Sequence, residues 1–329
     1  MKQKNKTKLI LFIFCLLCFS CVKNNCLKEN KIKNKIKLSF LKKEDIVSNL
    51  KSFEEFDGFI NQNPILARRF FETQNSISKK QKLFTLINNV YFDTLYTEVK
   101  KTFGSFDNQK EEFQNAFTRL IKQLPHIRPP KITTIISGFY NDVVVTEKEI
   151  IIGLDYFLES DSKYKPKDIP EYILKRYNPS NLVPMTMSVY CSQFNKINLE
   201  DQTMLAEMLN FGRLYFLLES ILPCVPPNKI IGYTKEEWDL VEENEEKIYS
   251  VFVERKLFYE TNHLVKNKYL SERPRVFEIS PDCPGRIGLW LGWKITKSYM
   301  QQNPNISIVE LLNNTNSQEI FLQSFYKPS

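Results

Sequence analysis

The sequence predicts an α+β fold, predominantly helical with one small sheet. Three observations predict it. Apolar residues recur at three- and four-residue spacing over most of the chain, the mark of helices buried on one face. One β-branched stretch, Ile132 to Leu154, interrupts that pattern and follows Pro125, Pro129 and Pro130. At 42% hydrophobic and 13% aromatic, the chain can bury a large core.

The first element is a leader. Lys2, Lys4, Lys6 and Lys8 precede the apolar run Leu9 to Phe19, and Ser20 stands before Cys21. This is the layout of an export signal, and the run is short for a membrane-crossing helix, which needs about 20 residues. Cys15 and Cys18 follow the bulky Phe14 and Leu17, and Cys26 follows Asn25, so only Cys21 has a small residue before it. The stretch Leu17-Cys18-Phe19-Ser20-Cys21 resembles the bacterial lipobox, departing from it at Cys18, where an aliphatic residue is usual. The resemblance implies cleavage after Ser20 and lipid on Cys21. Residues 1–20 are then a signal peptide, 21–30 a short tether and 31–329 a single domain, held on a membrane, inner or outer, outside the cytoplasm.

From Lys31 to Phe40, lysine alternates with Ile32, Asn34, Ile36, Leu38 and Phe40. Period two predicts a half-buried edge strand with its lysines in water; a second reading lays the lysine-rich stretch Lys28 to Lys43 on anionic lipid. Helices follow over Asp45–Phe71 (interrupted at Pro64), Ser76–Phe103 and Lys110–Leu124. The small sheet comprises Ile132–Gly138, Val143–Thr146 and Glu149–Leu154, with turns at Tyr140-Asn141-Asp142 and Thr146-Glu147-Lys148. Five helices complete the pattern: Pro170–Tyr177, Leu182–Phe194, Leu199–Leu222, Lys235–Phe258 and Gly288–Met300.

Removing residues 1–20 takes four lysines from the formal +8 and leaves +4. That balance is mild, and no arginine-rich or aromatic-interleaved patch stands out, so nucleic acid is a poor candidate partner. Beyond Cys21 the cysteines are Cys26, Cys191, Cys224 and Cys283, too widely spaced for a disulfide framework, though Cys224 with Cys283 stays open as a pair. The two histidines, His126 and His263, sit in no HExxH motif. With no GxSxG, P-loop or GxGxxG either, no catalytic set, metal site or cofactor is implied.

Carboxylates cluster twice. Glu242, Glu243, Glu245 and Glu246 read as a solvated face near a helix start. Asp155, Glu159 and Asp161 follow the sheet, where loops often carry function. Glycines concentrate as well: Gly212 lies inside the longest apolar helix, and Gly285, Gly288 and Gly292 accompany Trp290 and Trp293, marking close approach of neighbouring elements or of a partner.

The stretch Pro284-Gly285-Arg286-Ile287-Gly288, with Trp290, Gly292-Trp293, Ile295 and Ser298-Tyr299-Met300, resembles the gliding-motility lipoprotein GldB family of the Bacteroidetes. The resemblance extends to Gly153-Leu154-Asp155 with Tyr156, Asp161, Tyr164 and Pro170, to Gly212-Arg213, to Ile231-Gly232-Tyr233-Thr234, to Asn244-Glu245 and to Tyr326-Lys327-Pro328. It covers roughly residues 130 to 329 in order. It implies a non-enzymatic envelope lipoprotein, without a defined reaction, that works with the gliding and type IX secretion machinery. It also implies a layout like a zinc-peptidase scaffold lacking its metal site. Phe211 stands where some relatives carry glutamate, which further weakens catalysis. On this reading Arg286, Trp290 and Trp293 form a partner contact, provided the tryptophans are exposed. The alternative is a divergent envelope hydrolase using Asp155, Asp161, Glu207 and Glu219, which requires those carboxylates to converge.

Overall fold

The computed structural model describes residues 34–74 and 76–328. The expected signal peptide, Cys21 and the 21–30 tether lie outside the described residues. The chain divides into residues 1–34 and a compact unit of residues 35–329.

That unit opens with the alternating segment. Ile36, Leu38 and Phe40 pack against the core while Lys35 and Lys37 stay exposed, yet only β1 (Phe40–Lys42) joins a ladder. The reason lies in the partner. Phe40 pairs with Ile132 of β2 (Lys131–Ile135), so a longer ladder would run into Pro130 and Pro129, which have no N–H to donate.

Helices α1 (Glu44–Asn49) and α2 (Phe53–Gln62) precede Pro64, and a π-helical turn, Leu66–Phe70, follows it. A capping box between Ser52 and Glu55 starts α2. The helix expected over Ser76–Phe103 is two, α3 (Ile77–Ile87) and α4 (Val90–Phe103). Asn89 breaks it because its side chain accepts from the Tyr91 amide as an N-cap. The break leaves Val90 and Tyr91 at an outer corner, 72% and 69% exposed.

Helix α5 (Asp107–Gln123) buries Phe113, Phe117 and Leu120. On the same helix Glu112 is partly buried, and burial pushes its carboxyl up to about 7, with only the Lys229 charge opposing. The folded chain therefore holds a proton there between about pH 4.5 and 7 that the unfolded chain releases. Stability should fall as pH rises through that window, by on the order of 2–3 kcal/mol. Denaturant unfolding at pH 5 and pH 8 checks this. Glu112→Gln should flatten the difference, and an unchanged slope would show that Glu112 is well solvated.

The sheet runs β1-β2-β4-β3, with β3 (Val143–Val145) and β4 (Glu149–Gly153) added to the first two. β1, β2 and β4 are parallel, and β3 is antiparallel to β4. Thr146–Glu149 makes the expected hairpin turn. Tyr140-Asn141-Asp142 does not join neighbouring strands; it belongs to a connection that leaves β2, passes the carboxyl end of β4 and enters β3 on the far side. β4 is central and buried at all five positions.

After α6 (Glu171–Leu174) and α7 (Leu182–Cys191) comes the central helix α8 (Met204–Ile221), which packs along α13 (Ile287–Gln302). Gly212 and Gly292 make that crossing: a Cβ on Gly212 would strike the Gly292 carbonyl, and one on Gly292 would strike Met208 carbonyl oxygen. The expected helix Lys235–Phe258 divides at Asn244 into α10 (Lys235–Glu243) and α11 (Glu245–Glu254). Between α8 and α10 lies α9 (Pro227–Ile231), and α12 (His263–Leu270), α14 (Ile308–Asn313) and α15 (Ser317–Ser324) complete the chain; none of these four was foreseen.

The expected likeness to a zinc-peptidase scaffold finds no support. Among the described residues no group of three or more His, Cys, Asp or Glu side chains could hold a metal ion. The open cysteine pair is also corrected: Cys224 is disulfide-bonded, whereas Cys191 and Cys283 are buried free thiols.

Candidate functional site

The connection from β2 to β3 must cross the end of β4, and Asp155, just beyond that strand, holds it there. Its Oδ1 accepts the Ser137 amide at 3.0 Å, and its Oδ2 accepts the Phe139 amide at 2.5 Å and the Ser137 hydroxyl at 3.1 Å. Burial pushes this carboxyl upward, while those donors pull it back toward the charged form. The next residue fastens the loop again, since the Tyr156 hydroxyl donates to the Phe139 carbonyl at 2.7 Å. Burial, helped by nearby aspartates, pushes that hydroxyl up to about 12, so it stays a donor at neutral pH. Tyr177 donates to Asp142 at 2.6 Å, and the Phe139, Tyr156 and Tyr177 rings sit edge to face or tilted at 5.6–5.7 Å. Together they make a fixed aromatic wall at the carboxyl ends of the parallel strands.

A groove of 560 Å³ opens along this wall, lined by Leu86, Tyr91 and Phe92 from the α3–α4 corner and by Phe139, Tyr156 and Tyr164. Its outer rim is the strap Lys163–Ile169, whose far side borders a second cleft of 410 Å³. Lys163, Lys165 and Lys167 alternate along the strap with Tyr164 and Pro166, against one carboxylate, Asp168. The Lys163 ammonium lies 5.2 Å from the Tyr164 ring centre. Among the described residues, the strap backbone from Lys165 to Ile169 makes no hydrogen bond with the rest of the chain. The arrangement offers apolar and ring contact, a row of cations and backbone groups not bonded to other elements, in a volume typical of ligand sites, about 300–1,000 Å³.

The carboxylates considered for hydrolysis have separate partners. Asp155 is the loop fastener, and Asp161 is exposed ahead of the strap. Glu207 is paired with Lys266, and Glu219, twelve residues further along α8, is paired with Lys297 at 2.8 Å. At about 1.5 Å rise per residue the two glutamates are some 18 Å apart along the helix.

The expected partner contact is core. Trp290 and Trp293 are 0% and 2% exposed. Trp290 donates its indole N–H to Glu242 at 3.1 Å, and Trp293 packs against Tyr215 and Trp238. Arg286 has a side chain only 12% exposed, 3.2 Å from Glu272 and 5.7 Å over the Tyr233 ring.

Two of the four clustered glutamates also turn inward. Glu245 is buried, accepts from Tyr326 at 2.5 Å and pairs with Lys294 at 2.8 Å, and Lys294 reaches Glu242 at 3.2 Å. Only Glu243 and Glu246 form the expected solvated face.

The sequence reading missed the strap, although its alternation of lysine with tyrosine and proline is visible in Lys163-Tyr164-Lys165-Pro166-Lys167. No curated protein and no solved structure matches this chain. A family model described as gliding motility protein GldB matches residues 25–328.

Proposed function

From its membership of the GldB gliding-motility lipoprotein family, we infer that this chain is an envelope lipoprotein anchored by lipid on Cys21 after loss of residues 1–20. It acts as a non-enzymatic, protein-binding component of the gliding machinery and its associated type IX secretion system. The observation that carries the reading is the family match over nearly the whole chain. Among the described residues no helix is long and apolar enough to cross a membrane. The hydrolase reading needs Asp155, Asp161, Glu207 and Glu219 in one cleft, whereas Asp155 holds the loop at Ser137 and the two glutamates are paired with Lys266 and Lys297, which favours the binding role.

The test is purification of the intact lipoprotein from its own envelope, with mass spectrometry of the N-terminal peptide and of co-purifying proteins. A diacylated Cys21 together with motility or secretion components is the expected result, and Cys21→Ser should move the chain out of the membrane fraction. An unmodified Cys21 would overturn the anchor. Lipidated Cys21 with no retained protein would overturn the binding role.

A further inference from the structure

The groove beneath the strap is the feature of this surface that a defined ligand would complete. We propose that it takes an extended acidic segment of a partner protein, one that places an aromatic or branched apolar side chain against Tyr91, Phe139 and Tyr156. The proposal rests on the protein-binding reading above and names the chemistry of the partner.

Charge complementarity fixes the sign. Lys163, Lys165 and Lys167 outnumber Asp168 along the rim of the groove, whereas in the adjoining cleft Lys175 is offset by Glu159 and Glu171. Rim charges of this kind steer a ligand of opposite sign and do so less as salt rises.

Shape and polarity fix the class. The 560 Å³ groove is concave, with its apolar lining inside and its cations outside. A flat bilayer would reach the Val90–Tyr91 corner without filling the groove. Apart from the turn at Lys167-Asp168, the strap backbone from Lys165 to Ile169 makes no hydrogen bond to other elements of the described chain, and so offers N–H and C=O groups to a ligand. An extended peptide supplies the complementary backbone groups and alternates its side chains between the lining and the rim, which is how added strands are recognised elsewhere.

The rigid side of the groove supports the same ligand. Phe139 and Tyr156 are fixed by Asp155 and by the 2.7 Å hydrogen bond between them, so little ordering cost falls on that wall when a segment docks.

The experiment uses the full-length lipoprotein in detergent and a fluorescent ten-residue peptide alternating glutamate with phenylalanine and leucine. Its control is the same peptide with lysine for glutamate. The glutamate peptide should bind, more weakly as salt rises, and the lysine peptide should not. The triple variant Lys163→Glu/Lys165→Glu/Lys167→Glu should weaken binding at least about tenfold. Tyr91→Ala, at an exposed ring, should weaken it several-fold without lowering the melting temperature and so guards against a misfolded triple variant. Equal binding of the two peptides would overturn the proposal, as would wild-type affinity in both variants. So would preferential binding of phosphatidylglycerol vesicles through the same lysines. Repeating the envelope purification with the triple variant separates the two levels. Partners retained by the variant would remove the groove while leaving the binding role, whereas partners absent from the wild type would remove the role itself.

Discussion

Gly292→Leu is expected to cost about 3 kcal/mol or more and to leave little folded protein at growth temperature. A side chain there must displace the Met208 carbonyl, which is backbone of α8 and cannot rotate away as a side-chain end can. A Cβ added to Gly212 would meet the same obstacle from the other helix, falling 2.5 Å from the Thr296 hydroxyl and closer still to the Gly292 carbonyl. The two helices therefore have to separate, and every buried contact along the crossing is weakened together. Gly58, inside α2, is the control: an added Cβ meets nothing within 4 Å, so Gly58→Ala should gain about 0.5–1 kcal/mol from helix propensity alone. Denaturant titration of the two variants decides the matter. Gly292→Leu unfolding at the wild-type midpoint would mean that α8 and α13 are not held at backbone distance.

Asp155→Ala should be nearly as damaging, with a loss of about 3 kcal/mol. It leaves the amides of Ser137 and Phe139 and the Ser137 hydroxyl without their acceptor in a buried place. Asp155→Asn keeps one oxygen but turns an NH₂ toward a donor, so a smaller loss of about 1–2 kcal/mol is expected. The discriminating readout is amide hydrogen exchange. Residues 137–142 should lose protection in Asp155→Ala more than the α8–α13 pair does. A uniform loss of protection would show that Asp155 stabilises the domain generally and does not fasten this loop.

The longer helices were legible because core-facing residues such as Phe113, Phe117 and Leu120, or Leu95 and Val99, repeat within one or two turns, whereas short helices such as α9 and α14 offer too few turns for a repeat. The β-branched stretch marked the sheet for the same reason. Strand order was not legible, since β2 beside β4 is a choice between distant segments that alternation does not encode. Glu245 shows the same limit from the charged side. Four neighbouring glutamates look solvated, and only Tyr326, eighty-one residues away, and Lys294 reveal that one is buried. The groove draws its lining from residues 86–95, 138–139, 156 and 163–169, so no single window of sequence contains it. Trp290 and Trp293, expected as a partner contact, are core: three residues apart on a helix, they share a face, and only the distant Glu242, Tyr215 and Trp238 show that this face is covered.

The α8–α13 crossing also sets a schedule. A chain delivered N-terminus first presents α8 long before α13, because Gly292 follows Gly212 by eighty residues. Any delivery across the membrane slower than apolar collapse, which takes at most about 100 microseconds, leaves α8 to collapse before α13 has arrived. During that interval the face of α8 that α13 covers, at Met208 and Gly212, is open, with only the earlier helices such as α5 and α7 there to pack against the rest of α8. The crossing therefore closes only when the last third of the chain has been delivered, and truncation before α13 should leave α8 uncovered on that face.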